Sequence, residues 1–161
     1  MGHLLPEALY EAGARATFLN HAENPMTMAE LAKTIARARE LGIETIACAD
    51  SLAEGTAIAA FHPDILLCEP TDLIGTGKTA DDSYTTSIVA KIRSIDPTIG
   101  IMIASGITTA DDVYRVVRLG ADGSGATSGI LNAPDPAERI MEMAEAIVRA
   151  AEAREATEGA A

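Results

Sequence analysis

Short apolar runs alternate with longer segments of helical periodicity along this chain, and this alternation restricts the possible folds more than any other feature. The runs predict five strands, at residues 16–20, 44–48, 65–68, 99–103 and 121–126. We expect the first four strands to be buried, because their side chains are almost all apolar. Strands that alternate with helices form a parallel sheet, so the chain is predicted to be an α/β protein.

Helical spacing is clearest in the segments that separate these strands. Apolar side chains recur every three or four residues in 26–41, 82–95 and 109–119, and a last helix is predicted from about 135 to 153. A closed barrel and a doubly wound open sheet both fit this order of elements. The first strand is followed by no glycine-rich dinucleotide fingerprint, which favours the barrel.

Composition excludes several classes of partner. The chain carries a formal net charge of −12, which argues against binding to a nucleic-acid backbone or to an anionic membrane. No stretch is long and apolar enough to predict a membrane span, and no metal-binding spacing of Cys and His is present. Cys48 and Cys68 end apolar runs and are interpreted as buried free thiols, so we expect a cytoplasmic protein.

Chemistry in parallel α/β folds gathers at the C-terminal ends of the strands. Glu69 follows four apolar residues there, so desolvation is expected to raise its pKa toward that of a general base. The loop after it combines Leu73 and Ile74 with Gly75 and Gly77, a composition that suits a lid. A surface acid beside an ordinary glycine turn is an equally good interpretation of these residues alone.

Glycine and hydroxyl residues at two later strand ends predict a phosphate site. Ser105-Gly106 and Ser128-Gly129 each precede a helix, where backbone N–H groups bind phosphate without a cation. In barrels, phosphate often lies after the last two strands. Two helix N-caps without a ligand are the alternative, but the presence of both signals on adjacent final strands favours phosphate.

Nearly the whole chain carries a family resemblance. From Gly2 to about Ile147 it resembles the archaeal-type triosephosphate isomerases, through the stretches GHLLPEA, LNHAEN, EPTDLIGTG, SGITTADDV and SGILNAPDP. The resemblance implies the C-terminal five βα units of a (β/α)8 TIM barrel. It also implies an enzyme that interconverts dihydroxyacetone phosphate and glyceraldehyde 3-phosphate without a cofactor or metal. We expect this domain to span residues 1–153, followed by a flexible, acidic and alanine-rich tail at 154–161.

The resemblance also implies roles for individual side chains. Glu69 is the base that moves a proton between two carbons, and His21 is the neutral electrophile that polarises the carbonyl, a pairing for which this family is itself the standard example. Glu23 supports the pair as a further acid. The residues implied to bind substrate, in the closing loop and around the phosphate, are Asn20, Gly75, Ser105, Gly106, Thr127, Ser128 and Gly129.

The chain also departs from the family pattern. Ala22 stands where a serine is usual, and the last predicted strand contains the polar and glycine-rich run DGSG at 122–125. Family members have three further strands before this region, the first with a lysine that steadies the substrate's charge. We therefore expect an open sheet that associates with a second copy or with a chain supplying those strands. The alternatives are a non-catalytic phosphosugar-binding or self-assembling half-barrel, and an isomerase of a related sugar phosphate.

Overall fold

The computed structural model describes residues 4–70, 81–104 and 106–159, and these residues form one parallel sheet flanked by helices. Its strands are β1 (Ala16–Leu19), β2 (Glu44–Ala49), β3 (Ile65–Cys68), β4 (Gly100–Ile103) and β5 (Gly123–Ser124). Spatial order equals chain order, so β1 and β5 are the two edges of the sheet in the described part of the chain. The predicted fold class is confirmed: this is a partial (β/α)8 barrel whose described strands do not close.

Helices connect the strands and continue beyond the last one. Those described are α1 (Pro6–Glu11), α2 (Met28–Leu41), α3 (Leu52–Ala59), α4 (Asp82–Ile95), α5 (Ala110–Arg118), α6 (Ser128–Leu131) and α7 (Pro136–Glu158). The sequence pattern predicts neither α1 nor α3, which are short. Among the described helices, none combines the length and the apolar character that crossing a membrane requires.

The main core lies between the helices and one face of the sheet. Leu66 of β3 and Ile101 and Ile103 of β4 are at most 1% exposed, and they share a cluster with Ile88 and Ile92 of α4. Apolar burial of this kind stabilises by about 25 cal/mol for each Å² removed from water. The core therefore fixes β3 and β4 firmly, and it holds the strand ends that follow them in place.

The opposite face of the sheet is apolar but only partly covered by the described residues. Cys48 and Leu67 belong to a small buried cluster there, against which Met102 packs. Phe18 of β1 lies in register with Ile46 of β2, yet its side chain is 58% exposed. The prediction that β1 is buried is therefore wrong, because β1 is an edge strand with an open inner face and is buried only at its last residue.

The two ends of the last βα region differ from their predicted bounds. Strand β5 has only two residues, in keeping with the glycines of the DGSG run, which weaken a strand. Helix α7, in contrast, passes its predicted end at residue 153 and ends at Glu158. Arg154 donates a hydrogen bond to the carbonyl oxygen of Ala121 at 3.2 Å, which anchors these last turns. Helical structure thus continues into the segment 154–161 that the sequence predicts to be flexible.

Candidate active site

The register of the parallel sheet brings the C-terminal ends of β1, β2 and β3 close together. Cys68, the last residue of β3, is in register with Ala49, the last residue of β2. Glu69 follows directly, and its backbone N–H donates to the carbonyl oxygen of Ala49 at 2.8 Å. On the other side of β2, β1 ends at Leu19 and is followed by Asn20 and His21.

His21 and Glu69, the predicted catalytic pair, face each other across the end of β2. The Nε2 atom of His21 lies 3.8 Å from Oε2 of Glu69. The Glu69 side chain is 18% exposed, and burial raises the pKa of its carboxyl above the ordinary 4.5, while the neighbouring His21 opposes the shift. A separation of 3.8 Å is too long for a hydrogen bond, so these two atoms are not bonded to each other, and both face the same space at the strand ends of the described sheet.

The orientation of the His21 ring is set by the loop that precedes α2. The backbone N–H of Glu23 donates to Nδ1 of His21 at 3.3 Å. A neutral ring that accepts at Nδ1 carries its hydrogen on Nε2, the atom that faces Glu69. The carboxylate of Glu23 is 90% exposed, with Oε2 3.9 Å from Nδ1, so Glu23 contacts the ring mainly through its backbone.

Asn20 connects this loop to the end of β2. Its side-chain Nδ2 donates to the carbonyl oxygen of Cys48 at 3.1 Å and to Oε1 of Glu54 at 3.0 Å. Its Oδ1 accepts from the backbone N–H of Met26 at 2.9 Å. Sequence reasoning missed Glu54. The signal that could have found it is the pattern Ser51-x-x-Glu, a helix start placed directly after a strand.

A cavity of about 250 Å³ opens at these strand ends, and its polar lining includes Asn20, Asp50, Glu54 and Glu69. The thiol of Cys48 also lines it. Burial, with the charges of Glu69 and Glu54, raises the pKa of this thiol to about 11, so the thiol stays protonated at neutral pH. The cavity therefore lies at the strand ends beside Glu69, next to the groove that contains His21.

The predicted phosphate loops after β4 and β5 pack closely against each other. A Cβ atom on Gly129 would lie 2.4 Å from the carbonyl oxygen of Ile107 and 2.7 Å from Cα of Thr108. No side chain fits there, so the glycine allows direct contact between the two backbones. Gly106 has a left-handed backbone, with φ of 69°.

The remaining predicted site residues are placed less tightly or are not described. Thr127 and Ser128 are exposed, and Ser128 begins the four-residue helix α6. Gly75 and Ser105 lie outside the described residues, as do the other residues of the predicted lid, Leu73, Ile74 and Gly77. Within the described ranges, no group of three or more His, Cys, Asp or Glu side chains is arranged to hold a metal ion.

Comparison with known proteins identifies relatives across almost the whole chain. The profile of the family described as triosephosphate isomerase matches residues 1–147. The triosephosphate isomerase of Sulfolobus acidocaldarius is 34% identical over 155 residues, which cover 95% of this chain and 67% of that protein. That of Methanocaldococcus jannaschii is 33% identical over 145 residues, covering 88% and 66%. The chain spans about two thirds of the length of these relatives.

Solved structures with the same backbone arrangement are more distant in sequence. Thiamine phosphate pyrophosphorylase from Pyrococcus furiosus matches with a TM-score of 0.69 at 17% identity, over 91% of this chain and 66% of that one. A chain of the Amycolatopsis orientalis BexX/CysO complex matches with a TM-score of 0.70, also at 17% identity, over 93% and 61%. At this identity the likeness shows the fold alone.

Proposed function

The chain belongs to the triosephosphate isomerase family, and from that premise we propose that it interconverts dihydroxyacetone phosphate and glyceraldehyde 3-phosphate. The observation that carries the proposal is the 3.8 Å approach of His21 Nε2 to Glu69 Oε2 at neighbouring strand ends. In the proposed reaction, the carboxylate of Glu69 takes a proton from one carbon and returns it to the adjacent carbon. The Nε2–H of His21 donates to the carbonyl oxygen and stabilises the negative charge that develops there. The imidazole then gives that oxygen a proton and takes up the proton of the neighbouring hydroxyl, so the two oxygens exchange carbonyl and hydroxyl character.

The environment of Glu69 supports its role as the base. Burial raises the pKa of its carboxyl, which makes the carboxylate more basic than a solvated one. Proton transfer is most efficient when the pKa of the base lies near the working pH, so a shift in this direction favours catalysis. In the same proposal, Glu23 supports the imidazole through its backbone N–H.

The phosphate of the substrate is proposed to bind where the loops after β4 and β5 meet. The close approach of Gly129 to Ile107 and the exposure of Thr127 and Ser128 support this placement, because backbone N–H and hydroxyl donors are available there. Since the chain carries a net charge of −12, binding of an anion depends on such local donors rather than on overall attraction. Ser105 and Gly106 belong to the same proposed phosphate site, and Gly75 belongs to the proposed closing loop.

We also propose that the open inner face requires a partner, either a second copy or a chain that supplies further strands. The exposure of Phe18 and the unpaired edges at β1 and β5 of the described sheet support this. A cytoplasmic location belongs to the same proposal, because Cys48 and Cys68 are buried and unpaired, as thiols are in a reducing compartment.

A coupled assay for glyceraldehyde 3-phosphate tests the proposal. It is run on the chain alone and on the chain mixed with the separately expressed N-terminal segment of the Sulfolobus acidocaldarius relative. We expect isomerisation in the mixture, and a loss of about 10²–10⁴-fold in Glu69→Gln, because the general base is removed. Glu44→Gln is the matched control, since Glu44 is an exposed residue at the start of β2, at the end of the strand away from the site.

The alternatives predict different results in this assay. Binding of dihydroxyacetone phosphate without turnover, even in the mixture, would support a non-catalytic phosphosugar-binding protein. Turnover of a longer ketose phosphate in preference to the triose would support an isomerase of a related sugar phosphate. Equal activity of Glu69→Gln and Glu44→Gln would overturn the proposed role of Glu69.

A further inference from the structure

Three consecutive residues, the last two of β2 and the one that follows it, form hydrogen bonds beside both proposed catalytic side chains. The carbonyl oxygen of Cys48 accepts from the side chain of Asn20, the residue before His21. The carbonyl oxygen of Ala49 accepts from the backbone N–H of Glu69. The backbone N–H of Asp50, the third residue, donates to Oε2 of Glu54 at 2.8 Å. The positions of His21 and Glu69 therefore both depend on hydrogen bonds to the end of β2.

Glu54 links the first and the third of these contacts. One of its carboxylate oxygens accepts from Asn20 and the other from the backbone of Asp50, so both oxygens are bonded within the protein. Its own backbone N–H is held by the hydroxyl of Ser51 at 3.2 Å, which fixes the first turn of α3. A carboxylate bonded in this way is suited to hold its neighbours and is not available as a base.

Asn20 has a left-handed backbone and is buried. Its φ is 57°, in a region that asparagine adopts more readily than most residues other than glycine, and the residue is 8% exposed. Only one orientation of its amide satisfies its partners, because Cys48 and Glu54 accept while the N–H of Met26 donates. The bonds at Asn20 and Met26 close the loop that contains His21 at both of its ends.

We propose that Glu54 is a positioning residue, which acts through Asn20 to hold the His21 imidazole with its Nε2–H facing Glu69. This inference rests on the proposed function for its catalytic meaning, although its structural part stands on the hydrogen bonds alone. Asn20 is then part of the support of His21 rather than a contact to substrate, since its amide is fully bonded within the protein.

The test compares Glu54→Ala and Glu54→Gln with Glu138→Ala. Glu138 is the control because it lies in the first turn of α7, as Glu54 lies in the first turn of α3, but it is exposed whereas Glu54 is partly buried. In Glu54→Gln, the amide oxygen can accept from only one of the two donors. This isosteric variant therefore loses one of the two hydrogen bonds, whereas Glu54→Ala loses both. It also replaces Glu54→Ala as the test if the alanine variant fails to fold.

The first measurement is the tautomer of His21 in the 161-residue chain, read from the ¹⁵N shifts of its ring by long-range ¹H–¹⁵N correlation. The signals are assigned with His21→Gln, since the chain has three histidines. We expect the Nε2–H form in the unchanged chain and in Glu138→Ala. We expect a mixture of both tautomers in Glu54→Ala, and an intermediate result in Glu54→Gln.

The second measurement is kcat and KM for the triose phosphate under the conditions in which the unchanged chain is active. Displacement of a catalytic group by about 1 Å can lower the rate 10²-fold, so we expect kcat to fall about 10- to 100-fold in Glu54→Ala, with KM little changed. If Glu54→Ala had a lower Tm but the same His21 tautomer and the same kcat as the control Glu138→Ala, the inference would be overturned. Glu54 would then have a structural role alone.

The two readouts separate this inference from the proposed function. If the unchanged chain shows no isomerase activity, even with its complement, the proposed function fails. The His21 tautomer alone then tests the positioning role of Glu54. A changed His21 tautomer in Glu54→Ala then supports the positioning role. An unchanged tautomer overturns the role, whether or not the protein is an enzyme.

Discussion

Gly129 of helix α6 and Ile107 of the loop after β4 are in direct backbone contact. A Cβ atom placed on Gly129 would lie 2.4 Å from the carbonyl oxygen of Ile107, a distance that real Cβ atoms do not adopt. The contact joins the segment after β5 to the loop after β4, although β5 itself has only two residues. The proposed phosphate site therefore depends on this glycine for its shape, more than on the short strand beside it.

Replacing Gly129 with alanine is expected to separate the two loops. Because the clash is with backbone atoms, relief requires a backbone shift, and we expect a loss of about 1–3 kcal/mol in the free energy of unfolding. Binding of inorganic phosphate, followed by calorimetry, is expected to weaken as well. In Gly125→Ala, the new Cβ would lie 3.7 Å from the side chain of Met102, an ordinary contact, so this control should keep both properties. Equal effects in the two variants would contradict the account.

Glu69→Gln is expected to stabilise the protein at neutral pH. The folded-state pKa of Glu69 is raised above its ordinary 4.5 because its carboxyl is buried, so the charged form is disfavoured in the folded protein. This penalty is absent at low pH and develops as the pH rises from 4.5 through the raised pKa. Thermal unfolding of both proteins across this window should give a Tm difference that grows with pH. A difference that shrinks with rising pH would contradict the predicted direction of the shift.

Asp96 is expected to stabilise the loop before β4 in the opposite pH range. Hydrogen bonds from Thr98, and then the contact of its Oδ2 with His62 Nδ1 at 2.6 Å, lower the pKa of this carboxyl to about 2. Such stability is present above the ordinary value of 3.8 and is lost as the pH falls toward 2. Asp96→Asn should therefore lower the Tm at neutral pH and match the unchanged chain near pH 2. Asp111→Asn, at an exposed position, should not show this convergence.

Phe18→Ser is expected to weaken association without unfolding the chain. The Phe18 side chain is 58% exposed on the inner face, so it contributes little to the core but offers apolar area to a partner. Ile140→Ser, at a residue 51% exposed on α7, is the control on the helical side. Sedimentation velocity of the chain, alone and with the N-terminal segment of a relative, should show weaker assembly for Phe18→Ser only. Assembly unaffected by Phe18→Ser would mean that the partner binds elsewhere.

The class of fold and the positions of β2, β3 and β4 could be predicted from the sequence, because continuous apolar runs mark strands covered on both faces. The exposure of β1 could not be predicted in this way. Burial of Phe18 depends on what covers the inner face, and the sequence of the strand itself does not show whether anything does. The end of α7 was also misplaced, because the contact of Arg154 with Ala121 joins residues far apart in the chain.

The candidate site likewise contains residues that the sequence indicates and one that it does not. Glu69 is indicated by the apolar run that it follows, whereas the role of His21 is implied only by the family resemblance. The sheet register then brings the two side chains together. Glu54 was missed because the pattern Ser51-x-x-Glu marks only a helix start. It does not show that the carboxylate reaches Asn20, which is 34 residues away in the chain. Local sequence therefore indicates groups at strand ends, while the contacts that orient them come from the packing of neighbouring strands.

Exchange of substrate hydrogen with solvent tests the central claim, that Glu69 moves a proton between adjacent carbons, most directly. The chain, with its N-terminal complement, is incubated with dihydroxyacetone phosphate in D₂O, and loss of the carbon-bound proton signal is followed by NMR. We predict exchange by the unchanged protein and by Glu44→Gln, and a rate about 10²–10⁴-fold lower in Glu69→Gln. Exchange in Glu69→Gln at the rate of the unchanged protein, or no exchange in any of the three, would contradict the account.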